Sequence, residues 1–153
     1  MSRDNRVTPN PAVYPHRQFV PTRFSDLDTL GHVNNVALAR IFEDARYRFL
    51  CDIGISQNDG RGGTTFLDDA RLVTVAANYE YFAECFHPDD IEMLSGGSRL
   101  GRSSWEISQL ALQHGRPVSR CTATLVATDE DGAVPIGDSF RATAEAAMLA
   151  NQA

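Results

Sequence analysis

The residues with the most chemistry to offer fall in a single run, Ser25-Asp26-Leu27-Asp28-Thr29-Leu30-Gly31-His32-Val33-Asn34-Asn35. It brings two carboxylates, an imidazole and two amides to the start of a periodic helix. A helix N-terminus presents unpaired backbone N–H groups and the positive end of the helix dipole, so an oxygen gaining negative charge is stabilised there. A carboxylate a few residues upstream can serve beside it as base or nucleophile. The same residues also make a capping loop with Asp26 and Asp28 as turn formers, and spacing alone leaves both readings open.

Several elements must hold this run in place. Leu38, Ile41, Phe42, Ala45, Phe49 and Ile53 recur at three- and four-residue steps, which predicts an amphipathic helix over Asn35 to Asp52. Asn34 or Asn35 is its cap and Gly54 its stop. The polar side pairs Asp44 with Arg48, and Glu43 with Arg46 at i,i+3. Ahead of the run, His16 to Phe24 reads as a short strand interrupted by Pro21, at a sheet edge or a bulge. Ser56 to Thr65, rich in glycine, reads as a mobile surface loop. Leu72–Phe82, Ile91–Arg99, Ser104–Gln113 and Val118–Thr128 read as four strands, whose short links make neighbours antiparallel. Asp138 to Leu149 reads as a terminal helix capped by Asp138 or Ser139. Asp68-Asp69 and Asp129-Glu130-Asp131 read as solvated acidic loops. Residues 1–15 read as a mobile arm and 16–153 as one α+β domain, a helix against an antiparallel sheet.

Composition removes whole classes of function. The chain has 153 residues, 42% hydrophobic and 22% charged, with a net charge of -6. No apolar run is long enough to span a bilayer, and no basic excess waits for a phosphate backbone, so neither membrane nor nucleic acid is an expected partner. All 14 basic residues are arginines. Without lysine there is no Schiff-base or pyridoxal-phosphate chemistry and no phosphate loop of the G-x-x-x-x-G-K type. Cys51, Cys85 and Cys121 lack any paired zinc spacing and read as buried free thiols. His87, Asp89 and Asp90 decorate a turn at Pro88, and no metal is expected. The first residues hold charges and prolines but no apolar segment of a secretion signal, so a cytoplasmic location is expected.

The run from Arg23 to Asn35, followed by Ile41-Phe42-Glu43-Asp44-Ala45-Arg46, closely resembles the acyl-CoA thioesterases of the hotdog fold. Within them it is similar to the branch typified by 4-hydroxybenzoyl-CoA thioesterase. The family pattern D-x-D-x-x-G-H-V-N-N, then a helix bearing E-x-A-R, is present, and Tyr79 to Phe82 and Gly101-Arg102-Ser103-Ser104-Trp105 extend the likeness. The resemblance implies a hotdog fold, a long central helix wrapped by an antiparallel sheet. It implies Asp28 as the catalytic carboxylate, Asp26 as structural, and the backbone N–H of Asn35 as the donor polarising the thioester carbonyl, with His32 and Asn34 in the same pocket. The typical member has an apolar residue where this chain has His32. Glu43 could face the pocket. No resident cofactor is implied, since coenzyme A enters as part of the substrate. Self-association as homodimer or homotetramer is implied, with sites built across the interface. For the phosphates of coenzyme A, Arg99 and Arg102 with Ser103 and Ser104 offer forked donors and hydroxyls at one turn, with Arg116 and Arg120 as weaker alternatives. A non-catalytic acyl-CoA or acyl-carrier binding module is the alternative from another class. A hotdog hydratase or dehydratase is a third, but its G-D-x-N-P-x-H motif is absent.

Overall fold

A computed structural model describes residues 9–61 and 63–150. Strand β1 (His16–Val20) leads through a 3-10 turn at Phe24–Asp26 to helix α1 (Asn35–Asp52). A small hairpin follows, β2 (Ser56–Asn58) with β3 (Thr64–Phe66). Then come β4 (Arg71–Tyr81), β5 (Ile91–Leu100), β6 (Ser104–Gln113), β7 (Arg116–Asp129), the two-residue β8 (Gly132–Ala133) and α2 (Asp138–Ala146). The main sheet runs β1-β5-β6-β7-β4, every pair antiparallel, with β8 on the end of β7. A long helix held against one curled antiparallel sheet is the hotdog arrangement.

The packing follows from two periodicities. Along β7, Cys121, Ala123, Leu125 and Ala127 are buried and alternate with the partly exposed Arg120, Thr122, Thr124 and Val126, so one face of the pleat meets the helix. On α1 the buried stripe is Leu38, Ile41, Phe42, Ala45, Phe49 and Leu50. The alanines of β7 let the sheet approach that stripe closely. Phe49 meets the Trp105 indole of β6 at a tilt, and Phe140 of α2 meets the same indole edge to face.

Several expectations need correction. The Ser56–Thr65 stretch is an antiparallel hairpin, with Ser56 buried and paired opposite Phe66; Gly62 lies outside the described residues. The first strand ends at Val20 instead of Phe24, because Pro21 cannot donate to the ladder. Residues 1–8 of the expected arm lie outside the described residues, but residues 9–15 pack on the sheet. Tyr14 bonds Ser108 at 2.8 Å, and Ala150 donates to the Val13 carbonyl. Of the three thiols, Cys85 and Cys121 are buried, whereas Cys51 is partly exposed.

Helix α2 begins after Gly137 without a local side-chain cap. Its cap comes from Asp68, whose Oδ2 accepts the Phe140 N–H at 2.9 Å, so Asp68 is not a solvated loop residue. Asp68→Ala is expected to destabilise the fold by about 1 kcal/mol, the usual cost of a lost cap. A lowered melting temperature with unchanged turnover checks this.

Candidate active site

The Asp- and Asn-rich run folds into a closed loop that ends as the helix begins. Leu27 and Val33 form an antiparallel bridge; between them Asp28 N donates to His32 O and Gly31 N to Asp28 O. Gly31 sits at φ 81°, a left-handed conformation that a side chain would strain, which is why glycine closes the turn. Asp28 Oδ1 accepts the Leu30 and His32 N–H groups at 2.8 and 3.1 Å. Its other oxygen accepts no hydrogen bond among the described residues. Thus one carboxylate oxygen is fixed by backbone and the other faces outward.

The two aspartates have separate duties. Asp26 is 2% exposed; it accepts from Arg23 N at 2.8 Å and from Arg40 Nη2 at 2.9 Å. Asp28 is exposed. Asn34 is the helix cap, its Oδ1 accepting from Ala37 N and its Nδ2 donating to the Asp26 carbonyl. It is consumed by structure and does not line the cleft. Asn35 is the first residue of α1, and its N–H has no hydrogen-bond partner among the described residues.

Asp28, His32, Asn35 and Leu38 form one wall of a cleft of about 370 Å³. The facing wall is the end of β4 and the chain after it, from Tyr81 to Cys85. The walls are stitched together where Val33 N donates to the Cys85 carbonyl at 2.8 Å. His32 reaches Glu84, Nε2 to Oε2 3.3 Å, and lies edge-on to Phe86. Glu84 and Cys85 carry no motif spacing; the sequence signal beside them is the family-like segment Tyr79 to Phe82. The Cys85 thiol is pushed up to about 11, first by burial, with Asp26 and Asp89 adding to the effect against a bond from Phe86 N. It stays a thiol at neutral pH and offers no nucleophile.

The remaining candidates lie elsewhere. Glu43 is exposed and outside the cleft lining. Arg46, expected as its surface partner, is 5% exposed and turned into the core, where Nη1 donates to Gln109 Oε1 at 3.1 Å. A guanidinium at i+3 from a glutamate reads as a surface pair until the facing strand supplies a buried acceptor. Arg99, Arg102, Ser103 and Ser104 sit at the β5–β6 turn, whereas Tyr81 of the cleft is level, through Ser119 and Ala111, with Met93 near the start of β5. Ten residues of strand put these ends roughly 30 Å apart. One chain therefore brings together Asp28, His32 and Asn35, and leaves Glu43 and the arginine turn apart.

Comparison with known proteins bears on the family and the fold. The family model of the thioesterase-like superfamily matches residues 22–144. The structure is similar to that of a protein from Pseudomonas aeruginosa, with 27% identity, TM-score 0.78, and coverage of 93% of this chain and 97% of that one. It is similar to a thioesterase from Thermus thermophilus complexed with coenzyme A and Zn, at 26% identity, TM-score 0.73, and coverage of 88% and 94%. A thioesterase superfamily protein from a Jannaschia species gives 27% identity, TM-score 0.73, and coverage of 87% and 82%. No curated protein matches the chain. Among the described residues, no helix is long and apolar enough to cross a membrane.

Proposed function

Because the chain belongs to the thioesterase-like superfamily, we propose that it hydrolyses an acyl-coenzyme A thioester to the free acid and coenzyme A. The observation that carries this reading is that a carboxylate, Asp28, and an unpaired N–H at a helix N-terminus, Asn35, line the same cleft. The coenzyme A bound to the similar Thermus thermophilus thioesterase supports the choice of carrier.

In this mechanism the thioester carbonyl rests at the start of α1 and takes a hydrogen bond from Asn35 N–H. Asp28, through the oxygen not held by backbone, removes a proton from water as the water oxygen attacks the carbonyl carbon. The negative charge that develops on the carbonyl oxygen is met by the N–H and the helix dipole. Collapse breaks the C–S bond, and the coenzyme A thiolate leaves with the bonding pair and takes up a proton. His32, held by Glu84, borders the same water. Purified protein offered short-chain, long-chain and aromatic acyl-CoAs is expected to release free thiol from at least one. Release from none of them, with the acyl-CoAs still bound, would favour a binding module.

A second copy of the chain belongs to this proposal. Among the described residues strand β4 pairs only with β7, which leaves its outer edge open there, and its Val73 and Val75 are 41% and 58% exposed. An open edge of this length with apolar side chains is a template for another strand. Light scattering is expected to give a mass of at least two chains; an active monomer would overturn this part. A second copy also gives the arginine turn a task, since its distance from the cleft of its own chain leaves it to serve the other. Arg102→Glu is then expected to raise KM for acyl-CoA with little change in kcat, because the phosphates are remote from the reacting carbon. A truncated thioester without the nucleotide should be indifferent. An unchanged KM for the full substrate places the phosphates at another site.

A further inference from the structure

Trp105, the one tryptophan of the chain, is fully buried, and its indole Nε1–H has no hydrogen-bond partner among the described residues. A buried donor left unpaired is costly, and it is rare in native structures. Phe49 and Phe140 pack against the ring and hold it in place. What lies in front of the N–H is a gap. Gly97 of β5 has no side chain, and a Cβ there would run into both Trp105 Nε1 and the sulfur of Met148. The donor and the thioether therefore flank one small opening, the donor from β6 and the sulfur from the segment after α2.

Backbone holds the sulfur in that position. The pairing of β1 with β5 stops at Ser95, and the segment after α2 takes over at Gly97. Gly97 N donates to the Ala147 carbonyl at 2.9 Å, Leu149 N donates to the Gly97 carbonyl at 2.7 Å, and Met148 is bridged to Gly97 in parallel. Met148 is partly exposed, while Met93, the other methionine among the described residues, is fully buried. We infer that Met148 is an oxidation site for hydrogen peroxide, and that its sulfoxide oxygen is received by the Trp105 N–H. In the step, a sulfur lone pair takes one oxygen of the peroxide. The S–O bond forms as the O–O bond breaks, and the other oxygen leaves as water with both protons. The sulfur gives up two electrons and the peroxide gains them. The new oxygen projects one bond from sulfur into the space that Gly97 leaves open, and there accepts from Nε1. Methionine sulfoxide ordinarily disrupts a packed site, because a polar oxygen replaces apolar surface. Here the fold holds an unpaired donor for it, so oxidation ties the segment after α2 to β6 instead of releasing it. This inference is independent of the chemistry of the cleft.

The test treats the full chain with dilute hydrogen peroxide, then with a thiol reductant that restores reversibly oxidised cysteines and leaves the sulfoxide. Peptide mass mapping is expected to find one added oxygen on Met148 well before Met93. With a single tryptophan, the indole N–H gives one resonance in a proton–nitrogen correlation spectrum. That resonance is expected to move downfield on oxidation and to exchange with solvent about tenfold more slowly. Met148→Leu keeps the packing and removes the sulfur, so peroxide should leave its resonance in place. Met148→Gln, whose amide oxygen has a similar reach, should shift the resonance with no oxidant. In Trp105→Phe the sulfoxide has no donor to meet, and oxidation is expected to lower the melting temperature, which it does not do in the unaltered protein. Oxidation of Met93 first, an indole resonance that ignores the sulfoxide, or the same shift in Met148→Leu overturns the inference. So does a melting temperature that falls equally with and without the indole N–H.

Discussion

Asp28→Asn enzyme is expected to fold as the unaltered protein does and to lose on the order of a hundredfold or more in kcat. The amide keeps Oδ1 as acceptor for the Leu30 and His32 N–H groups, so the loop retains its form while the outward oxygen becomes an NH2 that cannot take a proton. Asp26→Asn is the matched control. It weakens a buried charge-assisted contact to Arg40 and should cost about 1.5–3 kcal/mol of stability, with much less effect on chemistry. Rates read at a temperature where both variants are folded separate the two effects. Equal, mild losses of turnover would remove Asp28 from its role.

The second large effect concerns a backbone group, which side-chain deletion cannot reach. Asn35→Pro removes the N–H proposed to meet the oxyanion. Proline is best tolerated at the first helical position, whose N–H has no intrahelical partner. The residue before it must be extended, and Asn34 already is, at φ -74° and ψ 158°. The cap itself belongs to Asn34, so neither Asn35→Pro nor Asn35→Ala disturbs it. Asn35→Pro is expected to keep its circular dichroism spectrum and lose roughly a hundred- to thousandfold in kcat, the usual cost of one oxyanion donor. Asn35→Ala should retain most of its turnover. A folded proline variant with near-normal kcat would move the oxyanion to another donor.

Much of this arrangement is legible in the chain because its code is local. The helix occupies Asn35 to Asp52 as the periodicity predicts, since its cap, stripe and stop all lie within it or beside it. Strand β6 runs Ser104 to Gln113 between two turns written in the sequence. What the sequence hides is supplied from a distance. The cap of α2 comes from Asp68, separated from Phe140 by most of the sheet. Arg46 is a core residue only because Gln109, on a strand far along the chain, offers it an acceptor. The three-residue strands of the β2–β3 hairpin are too short to show alternation, and the glycines between them read as loop. In the site, the wall carrying Asp28 and Asn35 is one contiguous motif, whereas Glu84 and Cys85 join it only through the end of β4.

The double engagement of Asn34 bears on how the site breathes. Its backbone N–H and side-chain Nδ2 both donate to the Asp26 carbonyl while its Oδ1 holds Ala37 N, and Val33 beside it is tied to Cys85. Loop and helix start are therefore one mechanical part, and the carboxylate cannot swing away without unwinding the first turn. Native-state hydrogen exchange should find the amides of Val33, Asn34, Ala37 and Leu38 opening together, in one cooperative unit with a shared free energy. The distance between base and oxyanion donor is then set when the chain folds, and substrate arrives at a pair that is already assembled.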